Sequence, residues 1–196
     1  MFPQFSDYIR DILESQSRLK MVLVVGLHGD EPVGAYISDI PPDIKIIGPI
    51  NQTGKRRLDG KDLNRQFNKA DGLAEQILDQ IKELRPQCVV DSHEDDEVNQ
   101  VYVYCSVDIQ KALQKILSQL DIPLAQKAHS DFTEGGTIVS GEQPYTGTLE
   151  RECKNLGISY CCIETPITWP LNARIKIQTK IINDLYQYLS APVGNV

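Results

Sequence analysis

Residues 21–31 read MVLVVGLHGDE. The first six form a continuous apolar run ending in glycine, the pattern of a central strand buried on both faces. Polar groups follow at once, with His28 and Glu31 separated by two residues. A second segment repeats this order: Cys88 to Asp91 reads as a buried strand and His93 closes it, in VVDSHED. In a third, YCCIETP, an apolar run ends at Glu164 before Thr165 and Pro166. Ile44–Ile50 and Val101–Cys105 read as further strands.

Between these runs the period changes from continuous or alternating to helical. Phe5, Tyr8, Ile9, Ile12 and Leu13 share one face over Phe2–Ser15, and Leu73, Ile77, Ile81 and Leu84 share one before Pro86. A short helix is expected over Glu31–Ser38, with Pro32 tolerated in its first turn. Val107–Leu120 and Gly147–Asn155 also read as helices, the latter ended by Gly157. Leu171–Leu189 is the longest, with Leu171, Ile175, Ile177, Ile181, Ile182, Leu185, Tyr186 and Leu189 supplying an apolar stripe. Strands alternating with helices predict α/β layering around a mostly parallel or mixed sheet. No linker or repeat divides the chain, so residues 1–196 are expected to form a single domain without an appended C-terminal β domain.

Composition narrows the function. The 196 residues are 41% hydrophobic and 24% charged, ordinary values for a globular domain able to bury its own core. The net charge of -7 argues against nucleic acid, whose phosphates need a basic face. No apolar run approaches the roughly 20 residues that span a bilayer. MFPQFSDYIRDILESQS carries acids and no small-residue cleavage site, unlike a signal peptide. Five cysteines, an odd number without zinc-ribbon spacing, read as buried free thiols in a reducing cytoplasm.

The chemistry collects at strand ends. In open α/β sheets, sites form where loops leave the carboxyl ends of strands. Two such ends could bring His28, Glu31 and His93 onto one ion, and two imidazoles with one carboxylate suit a catalytic zinc that keeps a position for water. Each histidine could instead merely hydrogen-bond a turn. His129, in the polar run KAHSDF, reads as a surface or substrate-rim residue. Asn51–Asp71 is long for a bare connection and holds GKRRLDGKDLNRQF, where Arg56, Arg57 and Arg65 stand with Asn64 in an otherwise acidic chain. Guanidinium forks grip carboxylates and polarise oxyanions, although a solvated basic loop would look the same. Glu164 could serve as general base, or be an ordinary polar strand terminus.

Taken together, His28-x-x-Glu31 in GLHGDE, Arg57, Asn64 and Arg65 in DLNRQF, His93 in DSH and the late strand ending at Glu164 resemble the zinc carboxypeptidase superfamily. That superfamily also includes aspartoacylase and succinylglutamate desuccinylase. The features occur in the family's order and span most of the chain. The resemblance implies a three-layer α/β/α fold with a mixed, twisted sheet. It implies one Zn2+ per chain held by His28, Glu31 and His93, with Glu164 as proton acceptor. Arg57 matches the arginine that polarises the scissile carbonyl, and Asn64 with Arg65 the pair that grips a free carboxylate. Tyr145, in EGGTIVSGEQPYTGTLE, is the candidate for the tyrosine that closes over the substrate, and Gly135 and Gly136 suit a mobile loop. The expected substrate is a small peptide carrying a free carboxylate, or alternatively an N-acyl amino acid. The final helix after Glu164 favours the carboxypeptidase-like branch over the deacylases. An inactive metal- or ligand-binding relative is the reading from another class.

Overall fold

The computed structural model describes residues 18–70, 72–122 and 145–191, together with the backbone of 138–140. The expected helix over Phe2–Ser15, His129, Gly135 and Gly136 lie outside the described residues. Six strands form one sheet: β1 (Met21–Val25), β2 (Lys45–Ile47), β3 (Cys88–Asp95), β4 (Tyr102–Cys105), β5 (Ile138–Ser140) and β6 (Ser159–Pro166), in the order β2-β1-β3-β6-β4-β5. β1, β2, β3 and β6 are mutually parallel, and β4, paired antiparallel to β6 and parallel to β5, makes the sheet mixed.

Among the described residues four helices cover it: α1 (Leu73–Leu84), α2 (Gln110–Ser118), α3 (Leu149–Asn155) and α4 (Leu171–Ser190). On one face Ile77 and Ile81 of α1 and Leu149 and Cys153 of α3 pack with Val22, Val24 and Val89. On the other, Leu113 of α2 and Ile177, Ile181 and Leu185 of α4 pack with Leu23, Val90 and Ile163. This is the expected α/β/α sandwich. Each fully buried leucine or isoleucine contributes about 1.5–3 kcal/mol relative to exposure. Helix ends follow local chemistry: α1 stops where Arg85 turns left-handed and its N–H bonds the Ile81 carbonyl, just before Pro86. Thr148 caps α3 by accepting the Arg151 N–H.

Several boundaries differ from the expectation. β3 continues two residues beyond His93 and β6 two beyond Glu164, because their ladder extends to Asp95 opposite Pro166. Both residues therefore sit inside strands. The segment after Glu31 forms a short 3₁₀ turn, Pro32–Tyr36, rather than an α-helix. That turn lies so close to the sheet that a Cβ on Gly34 would meet the Val25 Cβ at 2.7 Å. The expected strand Ile44–Ile50 is cut to three residues, ending before Gly48 and Pro49, which lacks a ladder donor. β5 was not expected. All five cysteines are buried and free. Among the described residues, no helix is long and apolar enough to cross a membrane.

Candidate active site

Because β1 and β3 are parallel neighbours inside the sheet, the chain leaving β1 and the end of β3 come together at the carboxyl ends of the strands. Ligand atoms of His28, Glu31 and His93, all buried, lie within 4.8 Å of one another. The Glu31 carboxylate stands between the imidazoles, with His28 Nδ1 2.7 Å from Oε1 and His93 Nδ1 2.9 Å from Oε2. The rings meet edge to face with centroids 4.9 Å apart.

Each ring turns its other nitrogen to a second carboxylate. His28 Nε2 lies 3.0 Å from Asp62 Oδ1, and His93 Nε2 lies 3.0 Å from Asp91 Oδ2, off hydrogen-bond alignment. Asp91 is fully buried and accepts the Tyr160 hydroxyl at 2.9 Å. As the site stands, both Nδ1 atoms lie at hydrogen-bond distance from Glu31; with an ion bound there, the carboxylates beside Nε2 would favour the tautomer that keeps its proton on Nε2 and turns the Nδ1 lone pair to the metal. The donor set therefore fits a divalent metal: two Nδ1 atoms and a carboxylate, backed by Asp62 and Asp91.

The electrostatics follow from this packing. Burial alone would raise the Glu31 carboxyl, but the charge of His93 and hydrogen bonds from both imidazoles hold it down at about 2. Burial pulls both histidines downward; Asp62 and Glu31 outweigh it for His28, and Asp91 and Glu31 for His93, so both end above the usual range. Asp62, despite burial, is lowered to about 2 by its bond to His28.

Glu164 faces the same way. Parallel register sets it beside His93, and antiparallel register sets Tyr102 of β4 on its other side. Burial, opposed by His93 but reinforced by Glu31 and Asp95, pushes its carboxyl up to about 8. The Cys162 thiol donates to its Oε1 at 3.6 Å. Tyr102 donates to Asp95, which also accepts the Glu97 and Val98 N–H groups.

The basic loop forms the opposite wall of a cavity of about 370 Å³ whose lining includes His28, His93, Arg56, Asn64, Arg65 and Glu164. The Asn64 Oδ1 accepts the Leu149 N–H at 3.2 Å, which leaves its amide N–H groups for other partners. The Arg65 guanidinium donates to the Asn64 carbonyl at 2.7 Å and lies 4.1 Å above the Tyr145 ring, which also lines the cavity. Arg57 is the exception. It is exposed and absent from the lining, whereas Arg56 reaches the cavity and bonds Glu31 Oε1 at 3.1 Å. Buried Asn51 fastens the loop just ahead of the two arginines: its Nδ2 donates to the Lys55 carbonyl at 2.9 Å, and the Gly29 N–H donates to the same carbonyl at 3.0 Å.

Asp62, Asp91, Asn51 and Tyr102 were not singled out in the sequence. Asp91 carried a signal, since residues two apart on a strand face the same side and it precedes His93 by two. A larger groove, about 500 Å³, lies at the far end of the sheet around Cys105, Arg151 and Ser159, and no histidine lines it.

No protein-family model matches the sequence, and neither does any curated protein. Solved structures do. A candidate metallopeptidase from Shewanella denitrificans is similar over 88% of this chain and 76% of its own, with TM-score 0.72 and 18% identity. A metallo-carboxypeptidase from Burkholderia cenocepacia is similar over 90% of this chain and 58% of its own, with TM-score 0.68 and 13% identity. Succinylglutamate desuccinylase from Chromobacterium violaceum is similar over 93% and 67%, with TM-score 0.60 and 16% identity. The chain thus has the carboxypeptidase-like fold.

Proposed function

We propose that this protein is a zinc-dependent hydrolase that cleaves an amide bond next to a free carboxylate, in the manner of a compact metallocarboxypeptidase. The observation that carries the reading is the convergence of His28, Glu31 and His93 within 4.8 Å, with Glu164 in register beside His93. Zinc held by those three residues would supply Lewis-acid polarisation and water activation. The same ligand set accepts other divalent ions, so zinc is the preferred rather than the exclusive choice.

The remaining roles follow from each residue's surroundings. Glu164 accepts the proton of the attacking water and returns it to the leaving amine, a task suited to a carboxyl whose pKa lies well above the ordinary range. Arg56 meets the negative charge that develops on the carbonyl oxygen; its adjacency to Glu31 keeps it at the reacting centre. Asn64 and Arg65 hold the substrate carboxylate, the amide through its free N–H groups and the guanidinium through its fork. Tyr145 stacks on Arg65 and keeps that fork flat against the cavity wall.

The likeness to succinylglutamate desuccinylase favours a second reading, an N-acyl amino acid deacylase with the same machinery. Mass spectrometry of products from a mixed panel of peptides and N-acyl amino acids distinguishes the two. Zinc-dependent release of C-terminal residues, lost when the terminal carboxylate is amidated, supports the peptidase. Release of free acids from N-acyl amino acids supports the deacylase. A folded, zinc-loaded protein inactive on both would refute the enzyme reading and favour a binding protein.

A further inference from the structure

The strand residues that alternate with the candidate ligands face the other way. On β3, Ser92 and Glu94 flank His93 and point toward α4. That helix packs there through Ile177, Ile181, Ile182 and Leu185, yet the same buried face carries Arg174 and Gln178 in its first two turns. Neither is needed to fill an apolar layer, and buried polar groups are costly unless bonded. Their partners are all neighbours of the candidate site.

Gln178 is 0% exposed and makes three hydrogen bonds. Its Nε2 donates to the His93 carbonyl at 2.8 Å and to Thr165 Oγ1 at 2.9 Å, and its Oε1 accepts the Ser92 hydroxyl at 2.6 Å. One side chain thereby ties the backbone of His93 to the residue after Glu164. Arg174, one turn earlier, pairs with the buried Glu94 carboxylate. The other oxygen of Glu94 accepts the Val33 N–H at 2.9 Å, two residues after Glu31, and the Glu94 N–H donates to Glu31 Oε2 at 3.2 Å. Glu94 is thus a bridge between the strand carrying His93 and the turn carrying Glu31, and Arg174 balances its charge.

We propose that Gln178 and Arg174 are positioning residues, which fix the relative placement of Glu31, His93 and Glu164 from behind the sheet. The inference rests on the metal-site reading given above. Buried ion pairs and polar triads are poor sources of stability compared with well-packed apolar replacements. A metal site, by contrast, requires its ligands to be held to within about half an ångström. The network touches the backbone of His93, the residue after Glu164 and the carboxylate of Glu31, so its removal should loosen the site more than the fold.

The test compares the wild-type protein with Gln178→Met, with the double variant Glu94→Gln/Arg174→Met, and with Ile181→Ala. The last removes buried apolar contact from the same helix face without touching the network. Three quantities are measured: zinc affinity by competition with a chromogenic chelator, the absorption spectrum with cobalt(II), and the thermal midpoint of the metal-free protein. Both network variants should bind zinc about tenfold or more weakly, as found for residues that orient metal ligands, and shift the cobalt spectrum. Ile181→Ala should lower the thermal midpoint while leaving zinc affinity and spectrum at wild-type values. If either folded network variant keeps wild-type affinity and spectrum, or if Ile181→Ala weakens zinc equally, the positioning role is overturned. A wild-type protein that binds neither metal overturns the metal-site reading and this inference together. The double variant provides the same test if Gln178→Met does not fold.

Discussion

Replacing Glu164 by glutamine should stabilise the metal-free protein in alkali and leave it unchanged in acid. The carboxyl is pushed from an ordinary 4.5 to about 8, chiefly by burial and by the nearby Glu31 and Asp95 charges, against the opposing His93. Below pH 4.5 it is protonated in both folded and unfolded chains, so glutamine imitates it. As pH rises, the unfolded chain releases this proton first, and the native state loses stability until it too ionises near pH 8. The full gap corresponds to roughly 5 kcal/mol, but water in the adjoining cavity screens the charge, and about 2 kcal/mol is the working figure. For a domain of this size that is a shift of about 4–8 °C in the thermal midpoint. Thermal unfolding of both proteins in chelator at constant ionic strength, from pH 4 to 9, provides the assay. The midpoints should coincide near pH 4, with glutamine increasingly ahead to about pH 8 and a constant gap above it. Zinc should narrow the gap, since a divalent charge beside Glu164 favours its ionised form. A difference independent of pH, or a glutamine variant less stable at pH 9, would refute the reasoning.

Two further outcomes are expected. Arg56→Ala should lower kcat/KM by about 10²–10³, the loss typical of one oxyanion donor, whereas Arg57→Ala should stay within about twofold of wild type. Steady-state kinetics on the substrate found by product analysis decide this, and the reverse pattern would return the role to Arg57. Gly34→Ala should cost about 1–3 kcal/mol, because the new methyl would sit 2.7 Å from the Val25 Cβ in a packed interior. A urea denaturation midpoint equal to wild type would show that the turn after Glu31 has room to move.

The layering, and the convergence of His28, Glu31 and His93, were legible because both rest on short-range patterns. MVLVVG and QCVVD are apolar runs of strand length bounded by polar or glycine residues, and a histidine just past such a run falls near a strand end whatever the remaining topology. The identity of the inward-facing arginine was not legible. Arg56 and Arg57 are chemically equivalent neighbours in a loop without periodicity, anchored by long-range contacts of Asn51 and Gly29 to the Lys55 carbonyl that the local sequence does not announce. Family spacing pointed to Arg57, but spacing along a chain does not specify the direction of a side chain in an irregular turn. β5 was similarly hidden: IVS is only three residues long and lies in a segment rich in glycine. The extra length of β3 and β6 arises from pairing between them, information that neither segment contains alone.

The buried face of α4 suggests a more general way of finding such a site. Positions 174, 177, 178, 181, 182 and 185 follow helical periodicity throughout, and all six are buried. Arg174 and Gln178, both within the first two turns, are polar, and the four others are isoleucine or leucine. The strands show the same gradient: β3 is buried along its whole length while its residues change from CVV to DSHED. Because α4 begins just beyond the end of β6, its polar turns lie beside the polar ends of the parallel strands. Periodicity says which positions must be buried; the residue types then say which of them are polar despite that demand. Since burying such groups is costly without partners, several elements turning polar at the same end identify where those partners meet. Gln178 and Arg174 are therefore better guides to this site than the exposed charges of the loop, whose polarity would be ordinary on any surface.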